Sequence, residues 1–155
     1  DGPCYVRLGR GAVEDVYDEN YKFELGKGRV LKEGKKVALV ATGMMVQEAL
    51  KAADILAKDD ISVTVVDMPC IKPIDEELIE EIAKSHEIII TCEEHNVYGG
   101  LGSAVSEVTS KKSPVRMEMI GMQDTFGESG TPNELLAKYG LNADHIVEKV
   151  RNEYR

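Results

Sequence analysis

Tryptophan is missing from these 155 residues, and Phe and Tyr together bring the aromatic share to only 5%. A core must therefore rest on Val, Ile, Leu, Met and Ala. Cysteine is scarce too. Cys4, Cys70 and Cys92 are odd in number and far apart, which argues against a disulfide framework and leaves no CxxC pair for zinc. They read as reduced thiols that pack as small hydrophobes. His86, His95 and His145 show neither HxH nor HExxH spacing, so no metal site is expected. No apolar run approaches the roughly 20 residues of a membrane helix, and no cleavable signal opens the chain. A cytoplasmic protein without a membrane partner is the expectation. Basic residues are outnumbered 19 to 28, giving a net charge of −9. That balance repels polyanions and argues against a nucleic-acid surface.

What is present fits a packed domain: 43% hydrophobic and 30% charged residues, at a length that suits one domain. CYVRL (4–8) reads as a strand ended by Gly9. A strand this close to residue 1 suggests a piece of something longer, or a subunit whose partner supplies the rest. Residues 12–28 are acidic and lack a clean period, as in a linker or wrapping segment. From residue 29 the rhythm becomes regular. A short strand at 29–32 precedes a continuous apolar run, VALVAT (37–42), of the kind buried on both faces of a sheet. Apolar positions 45, 46, 49, 52, 53 and 56 then recur at helical spacing.

Ile61–Val66 is the next strand, and Asp75 caps a helix running to Ser85. Glu87–Cys92 is a strand, Ser103–Lys111 a helix and Val115–Ile120 the last strand. Helices at Pro132–Tyr139 and Ala143–Tyr154 close the chain, with Gly140 and Asn142 as stop and cap. This alternation predicts an α/β fold: a three-layer α/β/α sandwich on a mixed five-stranded sheet, mostly parallel with one antiparallel edge strand.

In such sheets ligands gather beyond the carboxyl ends of the strands. Three loops lie there: 42–44, 92–102 and 121–130. The second carries Gly99, Gly100 and Gly102 just before a helix, where free amides hold anions. No Lys or Arg backs it, so close loop packing at a subunit contact competes with a nucleotide or regulatory-anion site. His95, after two carboxylates, is either a general base or a hydrogen-bonded loop residue. Ser103 is read as a helix cap. Phe126, flanked by Gly and acids, either anchors another chain or tucks into its own core. Arg10, between two glycines at a strand end, could present its guanidinium to a phosphate or carboxylate.

Taken in order, GPCYVRLGRG (2–11), KKVALVATGMMVQEAL (35–50), VTVVDMPCIKPID (63–75), TCEEHNVYGGLGSAVSE (91–107) and DTFGESGTPNELLAKYGL (124–141) resemble the C-terminal region of transketolases. These are thiamine-diphosphate enzymes of the pentose phosphate pathway. The resemblance implies that residues 1–11 are the terminal strand of a pyrimidine-binding domain, 12–28 a linker and 29–155 the C-terminal α/β domain. It implies the C-terminal subunit of a split transketolase, inactive alone, with no catalytic residue of its own. The full enzyme would transfer two-carbon ketol units between sugar phosphates as a homodimer, with N-terminal transketolase domains or subunit as partner. Thiamine diphosphate and Mg2+ would be held by those missing domains, since no G-D-G motif occurs here. Only Arg10 carries over as a substrate-phosphate contact. Deoxyxylulose-phosphate synthases and 2-oxoacid dehydrogenase beta subunits share this domain and remain alternatives.

Overall fold

The computed structural model describes residues 2–6 and 13–154. Five strands form one sheet in the order β1-β3-β2-β4-β5. They are β1 (Arg29–Lys32), β2 (Val37–Ala41), β3 (Val63–Asp67), β4 (Ile88–Asn96) and β5 (Arg116–Met122). Only β1 runs antiparallel, on β3; the β2–β3, β2–β4 and β4–β5 pairs are parallel. This is the three-layer α/β sandwich expected from the strand–helix rhythm.

Side-chain parity decides which residue meets which layer, because successive strand residues point to opposite faces. Val37, Leu39 and Ala41 of β2 and Ile88, Ile90 and Cys92 of β4 pack in one cluster. It lies with α1 (Met45–Ala57) and α5 (Ala143–Glu153). Ala38, Val40 and Ile89 point the other way, into a second cluster with α2 (Glu76–Ser85) and α3 (Leu101–Lys112). The buried positions of α1 are Met45, Val46, Ala49, Ala52, Ala53 and Leu56, the six that the helical spacing marked. Asp75 caps α2, accepting from the Leu78 amide at 3.2 Å, and also receives the Gly28 amide at 3.1 Å. A capping box of Thr131 and Glu134 starts α4 (Pro132–Lys138), and Asn142 caps α5.

Several boundaries differ from the sequence expectation: β3 begins at Val63, not Ile61, and β5 runs on to Met122, not Ile120. Strand β4 continues four residues past Cys92, because its C-terminal half bonds to β5 as far as Asn96↔Met122. Helix α3 begins at Leu101 with Gly100 as its N-cap, not at Ser103. Cys4–Val6 carry no strand and are exposed; a strand exists only beside a neighbour to bond, and the described residues provide none there. Arg7 and Leu8 of that segment lie outside the described residues.

The turn from β1 to β2 seats Gly34 against the backbone of β3. A Cβ there would overlap the Val63 carbonyl and crowd the Thr64 amide, and neither can move without opening the sheet. Gly34→Ala should therefore destabilise the chain by about 2–3 kcal/mol, read as a lower midpoint in urea unfolding.

Candidate functional site

After β2 the chain turns to α1 on one face, and after β4 it turns to α3 on the other. The loops therefore part at the carboxyl ends of β2 and β4, which is where an open α/β sheet offers a crevice. Here the two ends are tied together by the Thr42 amide, which donates to the Cys92 carbonyl at 3.1 Å. Above them sits a pocket of about 240 Å³ lined by Met44, Glu94, Glu128, Leu135, Tyr139 and Leu141, among others. Its walls are mostly apolar, with the Glu94 and Glu128 carboxylates and Tyr139 as its polar groups.

The extended β4 creates the most ordered polar feature of this edge. Parity places Ile89, Thr91 and Glu93 on the α3 side, and Glu93 is fully buried under the start of that helix. Its Oε2 accepts from the Leu101 amide and its Oε1 from the Gly102 amide, both at 2.8 Å. The first turn of a helix leaves its amides without backbone partners and carries a partial positive charge. A carboxylate satisfies both needs, and hydrogen bonds to a charged acceptor are each worth about 1.5–3 kcal/mol. Cys92, adjacent in the strand and buried, has its thiol pushed up to about 12 by burial and then by the Glu93 charge. It is an inert core thiol. The exposed Cys4 has no such protection.

The glycines follow from this packing. Any Cβ on Gly100 would overlap Glu93 Oε2, and one on Gly102 would meet Met119 Sδ at 2.7 Å and Thr91 Oγ1 at 2.9 Å. Gly99 takes the left-handed φ of +79°, which favours glycine. Ser103 is not the cap. Its hydroxyl accepts from the Gly99 amide at 2.8 Å and donates to the Val97 carbonyl at 3.0 Å, stitching the loop from inside. Thus Gly99, Gly100, Gly102 and Ser103 come together around Glu93, and an external anion at Leu101 and Gly102 would have to displace that carboxylate. His95 is exposed, and its ring has no hydrogen-bond partner among the described residues. Phe126 is 99% exposed, so it does not fold into its own core. Arg10 lies outside the described residues.

Sequence reasoning overlooked Glu93, Thr91, Tyr17 and Asp67. The Tyr17 hydroxyl donates to Asp67 Oδ2 at 2.6 Å. Burial raises the pKa of both groups; for Tyr17 the bond to the carboxylate adds to the rise, whereas for Asp67 the same bond opposes it.

Residues 26–146 match the family described as transketolase, C-terminal domain. The chain belongs to that family. This transketolase C-terminal domain is 42% identical over 147 residues to a 6-deoxy-6-sulfo-D-fructose transketolase subunit from Clostridium sp. strain MSTE9, covering 95% of this chain and 46% of that one. It is 43% identical over 154 residues to the 1-deoxy-D-xylulose-5-phosphate synthase of Cronobacter sakazakii, covering 98% of this chain and 24% of the synthase. Among solved structures, a split-gene transketolase chain superposes with a TM-score of 0.88 at 48% identity, over 92% of this chain and 47% of that one. The chain spans about half the length of the transketolase relatives it matches.

Thiamine diphosphate with Mg2+, which the family implies, needs a cation site and donors for a diphosphate. Among the described residues no three His, Cys, Asp or Glu side chains gather to hold a cation, and the two first-turn amides of α3 are taken by Glu93. The described residues do not fit that group.

Two variants probe the cap. Glu93→Ala, which leaves two amides unpaired beside a cavity, should cost about 3 kcal/mol, with Glu93→Gln near half that, both read by chemical denaturation. Thr91 Oγ1 is buried with no hydrogen-bond partner among the described residues. Thr91→Val removes that orphan at nearly constant shape, so the unfolding midpoint should rise, by about 1 kcal/mol in free energy.

Proposed function

We propose that this chain is the C-terminal, non-cofactor-binding domain of a transketolase assembled from more than one polypeptide. The N-terminal transketolase domains or subunit would be its partner, and a homodimer the working form. In that enzyme two-carbon ketol units pass between sugar phosphates, and thiamine diphosphate and Mg2+ sit on the partner's residues. Residues 1–11 would be the terminal strand of a pyrimidine-binding domain, 12–28 the linker, and 29–155 the C-terminal α/β scaffold domain. The observation that carries this reading is the similarity to the split-gene transketolase chain at a TM-score of 0.88. That protein is described as an inactive beta4 tetramer, which supports inactivity of this chain when alone. The self-filled start of α3 supports a scaffold role over a regulatory anion site.

Arg10 is proposed as the contact to the substrate phosphate. A planar guanidinium pairs bidentately with phosphate, which an ammonium does not match. The similarity to 1-deoxy-D-xylulose-5-phosphate synthases favours one second reading, in which the assembled enzyme makes that product instead.

Reconstitution tests all of this. The chain alone, given thiamine diphosphate and Mg2+, should show no ketol transfer, and addition of the N-terminal polypeptide should restore it. Ketol transfer by the chain alone would overturn the scaffold reading. Mass spectrometry of the product separates ketol transfer from deoxyxylulose phosphate formation. In the assembled enzyme Arg10→Ala should raise KM for phosphorylated sugars roughly tenfold or more, the worth of a charged hydrogen bond, with a smaller effect on unphosphorylated ones.

A further inference from the structure

The acidic segment before β1 has no regular secondary structure over residues 13–24 apart from a turn, yet it is fastened to the domain at several separate points. The Tyr17 hydroxyl donates to Asp67 Oδ2 at 2.6 Å, and Asp67, the last residue of β3, is only 7% exposed. Gln47 on α1 donates its side-chain amide to the Glu14 carbonyl. Val16 packs against the core cluster that holds α1 and α5. The Tyr17 and Tyr21 rings stack with centroids 3.8 Å apart, and the Arg29 guanidinium of β1 lies 5.8 and 5.0 Å from their respective centroids. A tether serving only as slack would not pack an aliphatic side chain on the core or direct a phenol at a buried carboxylate.

We infer that Tyr17 and Asp67 are positioning residues: their hydrogen bond seats residues 13–24 as a strap across the carboxyl ends of β2 and β3. The strap fixes how the α/β domain is held relative to the chain that precedes it. This deepens the transketolase reading above and rests on it. Without the Tyr17 bond the segment keeps the Gln47–Glu14 contact and the Val16 packing on its N-terminal side, and downstream its next backbone hydrogen bond to the domain is that of the Gly28 amide on Asp75, at 3.1 Å. The additional chain between Tyr17 and Gly28 spans up to about 35–40 Å when extended. Release of that stretch loosens the strap's course over the sheet edge, while the Glu14 and Val16 contacts alone hold its start.

Three variants test the inference: Tyr17→Phe, Asp67→Ala and Asp67→Asn, the last of which keeps an acceptor oxygen. In the chain alone, amide hydrogen exchange across residues 13–24 should rise at least tenfold in Tyr17→Phe and Asp67→Ala and stay near wild type in Asp67→Asn. In the enzyme assembled with the N-terminal polypeptide, the first two should raise KM for the phosphorylated sugar at least fivefold with kcat within twofold, and Asp67→Asn should restore it. Unchanged exchange overturns the clamp. Faster exchange with unmoved KM overturns the positioning role and leaves the transketolase reading standing. If the wild-type assembly transfers no ketol unit, the transketolase reading fails and the positioning role fails with it, and the exchange data alone then decide whether the clamp exists.

Discussion

A fully buried carboxylate holding the first turn of a helix governs the carboxyl edge of this sheet. Glu93 supplies both oxygens to the amides of Leu101 and Gly102, and no salt bridge neutralises it among the described residues. Burying a lone carboxylate is costly unless strong hydrogen bonds compensate. Two charge-assisted bonds aligned with the helix dipole provide that compensation. The rest of the loop is fitted around this contact. Gly100 is bare because Glu93 Oε2 occupies the space of its Cβ, and Gly121 is bare because Val97 Cγ1 would lie 2.8 Å from its own. Ser103 then spans the turn from Gly99 to Val97. In this fold the site that commonly accepts a phosphate is occupied by the protein itself.

Much of the architecture was readable from periodicity. The six buried positions of α1, the Asp75 cap and the single antiparallel edge strand all follow from local pattern, because burial is decided there by position along a regular element. The antiparallel edge is a matter of chain length: the turn between β1 and β2 is too short for a parallel crossover. Glu93 was harder to read. Glu-Glu-His-Asn looks like loop sequence, so β4 is expected to stop at Cys92. Pairing with β5 carries it on to Asn96, and that pairing is a tertiary effect that propensity does not contain. Once the strand is extended, the parity that sends Ile89 and Thr91 toward α3 sends Glu93 there as well. The information was present, but it depended on a boundary.

The strap was opaque for a different reason. Residues 13–24 contact the domain through isolated anchors, Val16, Tyr17 and Tyr21, not through a repeating face. No period exists to detect, and the partner of Tyr17 lies 50 residues away. The same limit applies to Phe126. Its glycine and acid neighbours permit either burial or display, and the choice for display is made by tertiary packing that local sequence does not contain. Arg10 is the residue on which the site expectation rests most heavily, and its placement lies outside the described residues.

A doubly wound sheet normally leaves its switch point open for a ligand. Here the Thr42–Cys92 bond carries the β2–β4 ladder one step further, and Glu93 fills the adjacent helix start. What the same edge displays is apolar: Tyr98 at 75% and Phe126 at 99% exposure, on loops joined by the Asn96 amide donating to Asp124 Oδ1 at 3.0 Å. Large aromatics held in water on a tied pair of loops are costly in an isolated domain and favourable against another protein surface. On the proposed reading, the helix start that could take an anion is filled from within, and the edge beside it serves for display. The chemistry is then left to the polypeptide it supports, and the strap on the neighbouring strand ends links the two.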